Sequence, residues 1–382
     1  MRVILIATVA AILGASVSSL GATTYLVLPD GSGDFPTIQA AVDASVAGDV
    51  IELGDGVFRG EGNRRIYLSR EFTIRSVSGD PARCIIECEG SAGDYQWGFY
   101  VLSGTPSSTL RGVTITHGYD DCTGGAVQCY ASTTLEDCVF ADNVGGSSYG
   151  GGGVYCGAGS PRFINCRFER NSVAESVGGG VAVWYGEEPR FDHCTFVGNR
   201  AWWGGGCSAE FTTLAVFTDC VFWDNSAYGT AGLVCGNETA MVLDRCTFVG
   251  NASDALSTIS VGMSSSLTLS NVIVAFNEGT EGVSCLHGGT ATLACCDIFG
   301  NAGGDWIGCI AGYQGIDGNI SEDPLFCDWQ GGDLRLQLGS PCAPEHNPAC
   351  GLIGALPVGC GTTPVLETSW GGIKALFRNR SR

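Results

Sequence analysis

Lysine is almost missing from this chain. Of 382 residues one is a lysine, Lys374, and charged residues of all kinds make up only 15 %. Acidic residues number 39 against 19 basic ones, a formal net charge of −20. A chain this acidic is repelled by nucleic acid and by anionic membrane surfaces, so both are poor partners. Long apolar runs are scarce too: beyond residue 22 none is long enough to cross a bilayer as a helix. No Cys-x-x-Cys and no His/Cys cluster stands at metal-ligand spacing, so no metal site is assigned. Acidity of this degree suits calcium, the one ion that remains in view as a cofactor.

What is abundant is glycine, at 59 residues, and cysteine, at 20. Met1-Arg2, the apolar run of residues 3–13 and small residues up to Ala22 read as a secretory signal peptide over residues 1–22. The chain is therefore expected to be secreted or to sit at the cell surface, where disulfides persist. The cysteines are placed with a regularity that admits a second reading, as small soft residues packed inside.

That regularity comes from a repeat. The pattern apolar, two polar, Cys, any residue, Phe, two more, Asn recurs about seven times between residues 135 and 301. It is written Leu135-Glu-Asp-Cys138-Val-Phe140-Ala-Asp-Asn143, and again with Cys166, Phe168 and Asn171, with Cys194, Phe196 and Asn199, and with Cys220, Phe222 and Asn225. The Asn positions are separated by 28, 28, 26, 26, 26 and 24 residues. A period in this range means stacked supersecondary units and not one globular core. Each unit contains a strand with Cys and Phe inward and a Gly-rich entry to a second strand, such as Gly150-Gly-Gly-Gly-Val154. Helical signals are missing from the repeat. The fold is accordingly all-β, a single-stranded right-handed parallel β-helix of about ten coils over residues 49–322. Strands in successive coils lie ~4.8 Å apart, so like residues form ladders of Phe, Cys and Asn.

Both ends of such a solenoid need covering. Residues 23–48 provide a strand and a helix with Asp34 as its cap, Pro36 early in it, and Ile38, Ala41 and Val42 facing the core. Residues 323–360 form a Cys-rich C-terminal cap in which Cys327, Cys342, Cys350 and Cys360 read as disulfide staples. Residues 361–382 are a tail with a local basic excess.

The Gly-Gly-[Ala/Gly]-Val and Phe-x-x-Asn units of residues 124–301 resemble the repeats of polymorphic outer membrane proteins. The opening stretch Leu28-Pro-Asp-Gly-Ser-Gly-Asp-Phe-Pro-Thr-Ile-Gln-Ala-Ala-Val-Asp43 resembles that of pectin methylesterases and other members of the pectin lyase-like superfamily. The resemblance implies the β-helix and its capping helix. The esterase motifs and the polygalacturonase motifs of that superfamily are absent, whereas Phe191-Asp-His-Cys194 is similar to a stretch of pectate lyases.

Two sets of side chains stand out as candidates. The column before the ladder Cys runs Asp137, Asn165, His193, Asp219, Arg245. Stacking brings His193 beside Asp219, with Arg190 and Asp192 near. An acid, a base and a cation are what β-elimination of a uronate needs, with calcium neutralising its carboxylate. The second set is aromatic: Tyr149, Trp184, Tyr185, Trp202, Trp203 and Tyr228, in or beside the stretches of uneven length. Flat apolar faces with a polar edge stack on sugar rings, and Glu187, Glu188 and Asp224 are placed to receive hydroxyls. The chain reads as a monomeric, non-catalytic β-helix that binds a polysaccharide or cell-surface glycan through its side loops. The alternative is a polysaccharide lyase or glycoside hydrolase acting on an acidic polysaccharide.

Overall fold

The computed structural model describes residues 22–360; the signal-peptide expectation falls outside these residues save for Ala22, and the basic tail lies wholly outside them. Among the described residues, three long parallel sheets run the length of a solenoid. The first has eleven strands, from Thr24–Val27 to Thr290–Ala294; the second has ten, from Gly56–Phe58 to Asp297–Phe299; the third has nine, from Ile66–Leu68 to Glu281–Cys285. A fourth sheet of five two-residue strands, Val144–Gly145 to Ala252–Ser253, fills one corner. Eleven turns thus stand where about ten were expected. The added one is the N-terminal strand Thr24–Val27, which pairs in parallel with Val50–Leu53.

One coil shows how the repeat folds. Arg162–Ile164 lies in the first sheet, Arg167–Glu169 in the second, Ser172–Val173 in the fourth and Val181–Trp184 in the third. The repeated sentence is therefore not one strand but two, meeting at a corner. The corner residue is Asn165, with φ 51°, and its equivalents Asp137, His193, Asp219, Arg245 and Asn271 share that left-handed backbone. A second left-handed corner precedes the ladder Asn, at Asp142, Arg170, Gly198, Asp224 and Gly250. Asp, Asn and Gly tolerate this region best, which is why they recur there. The spacing carries the signal: Phe163 to Cys166 and Phe168 to Asn171 are three apart, an odd step that a flat strand of period two does not allow.

The ladders lie as expected. Phe168, Phe196, Phe222 and Phe248 stack with ring centroids 4.8, 4.4 and 4.4 Å apart, and Phe163, Phe191 and Phe217 form a second stack. Asn143, Asn171, Asn199, Asn225, Asn251, Asn277 and Asn301 donate in turn, each Nδ2 to the next Oδ1 at 2.9–3.0 Å. The last amide donates to Asp305 Oδ1 at 3.0 Å, so a carboxylate that only accepts terminates the ladder. The column thiols are buried and reach back to carbonyl oxygens of the preceding coil, Cys166 to Leu135 at 3.1 Å and Cys220 to Phe191 at 3.3 Å. Burial pushes Cys220 and Cys246 far up, so these thiols stay protonated and inert.

The helix at the N-terminal end spans Ile38–Ala44 and buries Ile38, Ala41 and Val42. Its cap is Thr37, whose hydroxyl accepts from Ala40 N, and not Asp34. Asp34 Oδ2 instead accepts from Leu26 N at 2.7 Å, because Pro36 and Thr37 carry the chain on past it before the helix begins. At the other end the core is closed by Trp306, Ile310 and Tyr313, around the 3-10 turn Gly308–Tyr313 that Cys309 ties to Cys285. Cys285 is thus paired and not a ladder thiol.

The Cys-rich segment lies elsewhere. Its Phe326, Leu334, Leu336, Ile353 and Ala355 pack on Val221, Val249, Ile273 and Ala275 of the second sheet, in a cluster separate from the solenoid core. It covers a flank and not the end, because these coils turn apolar residues outward and leave a surface to be buried. Cys350 pairs with Cys295 of the solenoid and Cys327 with Cys360. Cys342, expected in a disulfide, is a free buried thiol with Sγ 3.1 Å from Asp297 Oδ2.

Candidate functional site

The charged candidates come together only in part. His193 Nε2 stands 3.5 Å from Asp219 Oδ2, as stacking requires. Arg245 then takes Asp219 from the next coil, Nε to Oδ1 at 2.7 Å and a second nitrogen to Oδ2 at 3.1 Å. The bidentate pair raises the Arg245 guanidinium above its ordinary value, the opposite of what a proton-abstracting base needs. Arg190 is engaged by Glu188, and Asp192 lies 3.9 Å from Arg162. His193 itself is exposed, with 70 % of its side chain accessible. His193, Asp219 and Arg245 sit on the left-handed corner between the first and second sheets, with Arg190 and Asp192 on the strand that leads into it, and successive coils exchange charges along this outer edge. Asp137 is served in the same way by Arg111 at 3.2 Å and by Asn165 at 2.8 Å. Arg167 is the described arginine with a lowered value: burial first, then the Arg170 charge, brings it to about 9. Glu169 Oε2 holds it at 2.9 Å, so it too keeps its proton near neutral pH.

The aromatic candidates divide into two groups. Trp202 and Tyr228 stack on each other at 4.4 Å, beyond the fourth-sheet strands of adjacent coils. Trp203 covers Gly229, where a Cβ would lie 2.5 Å from its ring, so its role is packing. Trp184 and Tyr185 belong to a larger arrangement on the outer face of the third sheet. In register on that face stand Tyr67, Tyr100, Gln128 and Tyr155. Their inward neighbours, such as Val127 and Cys129, fill the core. Rings then follow one another in contact: Trp97 to Tyr67 at 6.3 Å, Tyr67 to Tyr100 at 5.7 Å, Tyr100 to Tyr130 at 5.3 Å and Tyr130 to Tyr155 at 5.6 Å. Tyr149 joins Tyr155 to Trp184 at 5.8 and 6.2 Å, and Phe211 closes the run 5.9 Å from Trp184 and 5.2 Å from Tyr185. Six neighbouring strands, from Ile66–Leu68 to Cys207–Glu210, carry this ribbon. At ~4.8 Å per strand it extends about 24 Å.

Tyr67, Tyr149, Tyr185 and Phe211 are exposed at 40 to 60 %, whereas Tyr155 is buried among its neighbours. Trp184 is locked by its Nε1, which donates to Tyr149 O at 3.0 Å. Burial and neighbouring tyrosines push the phenols up, Tyr155 to about 12 and Tyr130 further, so both remain donors. Glu210 stands in register with Trp184, accepts from Ser208 at 3.2 Å and is raised by burial. Gln128, 4 % exposed in the middle of the ribbon, has no partner for its Nε2. Sequence reasoning found Tyr149, Trp184 and Tyr185 but missed Tyr67, Trp97, Tyr100, Tyr130, Tyr155 and Phe211. The available signal was a Tyr at the residue between two inward ones on the Gly-run strand, in Val154-Tyr-Cys156 and Phe99-Tyr-Val101.

Among the described residues, Asp120, Asp121 and Cys122 bring ligand atoms within 4.8 Å of one another. Asp120 Oδ1 is already occupied by the N–H groups of Cys122 and Thr123, at 2.8 and 2.6 Å, in a local turn.

With an all-parallel solenoid of three long sheets, the class of the molecule is fixed, and sequence comparison agrees. The model of the right handed beta helix region matches residues 73–256 and, overlapping, 165–319, so the chain belongs to that family. Among solved structures it is similar to pectate lyase Pel9A, with a TM-score of 0.58 and 16 % identity over 88 % of this chain and 96 % of that one. This likeness concerns the fold. No match is found among curated proteins.

Proposed function

We propose that the protein is an exported, non-catalytic β-helix that binds a polysaccharide or cell-surface glycan along the aromatic ribbon of its third sheet. The observation that carries the reading is the continuity of the ribbon, nine touching rings on a rigid scaffold. Rings of this kind offer apolar faces to sugar rings and hydroxyl or indole donors at their edges, with little entropy left to lose on binding. Export is supported by three disulfides between residues 285 and 360. The polysaccharide-cleaving alternative draws on the likeness in fold to a pectate lyase. It is weakened by the pairing of Asp219 with Arg245 and of Arg190 with Glu188.

Affinity electrophoresis on a panel of neutral and acidic polysaccharides, with product analysis in the presence and absence of calcium, tests this. Retardation without turnover, lost in Tyr185→Ala/Phe211→Ala, is the expected result. Unsaturated or shortened products that disappear in His193→Ala or Asp219→Asn would sink the reading in favour of a lyase or hydrolase.

A further inference from the structure

The ribbon is not electrically uniform. Among the described residues the guanidinium that stacks on one of its rings is that of Arg65, 4.9 Å from Trp97 at the N-terminal end. From there onward carboxylates border it. Asp121 is exposed in a loop tied to the ribbon through Tyr149 N, which donates to Cys122 O at 3.1 Å. Glu187 is exposed two residues beyond Tyr185. A polyuronate, with one carboxylate on every sugar, would bring like charges against Asp121 and Glu187. At low ionic strength such repulsion reaches across ~10 Å or more. A chain of hydroxyls alone meets no such penalty.

A second observation bears on the ligand itself. Gln128 lies in register between Tyr100 and Tyr155, and its Nε2 is a buried donor without an acceptor. Such a group is costly to leave unmade and is satisfied by any sugar oxygen, hydroxyl or carboxylate, so it favours a glycan without choosing its charge. We propose that the ribbon selects electroneutral polysaccharides, with Gln128 donating to a sugar hydroxyl oxygen, and turns polyuronates away. The inference rests on the glycan-binding reading of the same face.

Isothermal titration calorimetry with xylohexaose, mannohexaose and hexagalacturonate, each at low and at high salt, provides the test. A neutral hexasaccharide should bind the wild type at least about tenfold more tightly than the uronate at low salt. The gap should narrow at high salt and in Asp121→Asn, whose neutral binding stays as in the wild type. Gln128→Leu should weaken neutral binding about fivefold while its Tm is equal to or above that of the wild type; a merely structural glutamine would lower Tm and leave affinity alone. Equal or tighter uronate binding at low salt, or a gap indifferent to salt and to the charge variant, overturns the selectivity. If both classes bind equally and are lost together in Tyr185→Ala/Phe211→Ala, this inference alone has failed. If no chain binds, or that variant binds as the wild type does, the glycan reading fails and takes this inference with it.

Discussion

Asp297 occupies the last strand of the second sheet with no accessible surface, at the seam where the Cys-rich flank meets the solenoid. Burial, above all, raises its carboxyl to about 7, against a weaker pull downward from Cys342 and the Glu322 N–H. An unfolded Asp titrates near ~3.9. Between about pH 4 and pH 7 the folded chain therefore holds a proton that the unfolded chain has released, and stability falls as pH rises through that window. Asp297→Asn should flatten this slope and be more stable than the wild type at pH 8, by on the order of 2 kcal/mol. Urea melts from pH 5 to pH 8 check it; parallel slopes for the two proteins would refute the assignment. Nothing in the sequence singles Asp297 out, since its burial is made by residues 342 and 322, far along the chain or on the next turn.

At the scale of elements, the Asn ladder holds the coils in register through bonds that run in one direction. Asn199 Oδ1 accepts both the backbone N–H and the side-chain amide of Asn171, and its own amide donates to Asn225. Asn199→Ala removes these bonds and leaves buried donors unpaired on one side and an acceptor unfilled on the other, a cost of about 3–5 kcal/mol. Asn301→Ala, at the end of the column and 8 % exposed where Asn199 has no accessible surface, should cost less, about 1–2 kcal/mol. Urea unfolding of the two variants is the measurement, and equal losses would mean that the ladder is not the cooperative element. The ladder was legible because it stacks identical residues at a fixed period. The left-handed corners were less so: His193 and Asp219 look like chemistry in a list of residues, yet their place is a bend where any polar side chain faces outward. The three-residue step between Phe163 and Cys166 marked that bend, and period-two reasoning passed over it.

For the whole molecule, the notable feature is the return of residues 323–360 along the solenoid. The Cys295–Cys350 bond ties that flank to the body across a sequence separation of 55, and Trp329 stacks on Phe276 at 5.2 Å. Cys295→Ser/Cys350→Ser should loosen the flank by about 3–4 kcal/mol. The result should be faster proteolysis within residues 323–360 and greater dye binding to the bared Val221, Val249 and Ile273 surface. The β-sheet circular dichroism of the solenoid should persist. Loss of that signal together with the flank would instead make the two parts one folding unit.

The sequence by itself determined the solenoid, its period, its inward Phe, Cys and Asn columns and the helix over its N-terminal end, because each of these depends on neighbours one coil away and repeats with them. It also pointed to Tyr149, Trp184 and Tyr185. The tertiary structure alone decided that Tyr67, Tyr100, Tyr130 and Tyr155 join them in one face, that Trp202 and Tyr228 stand apart, and that the Cys-rich segment covers a flank. These depend on which way an outward residue points and on contacts between distant segments, and no periodicity encodes either. A repeat specifies the stack; the exposed face it leaves is set by where its exceptions fall in space.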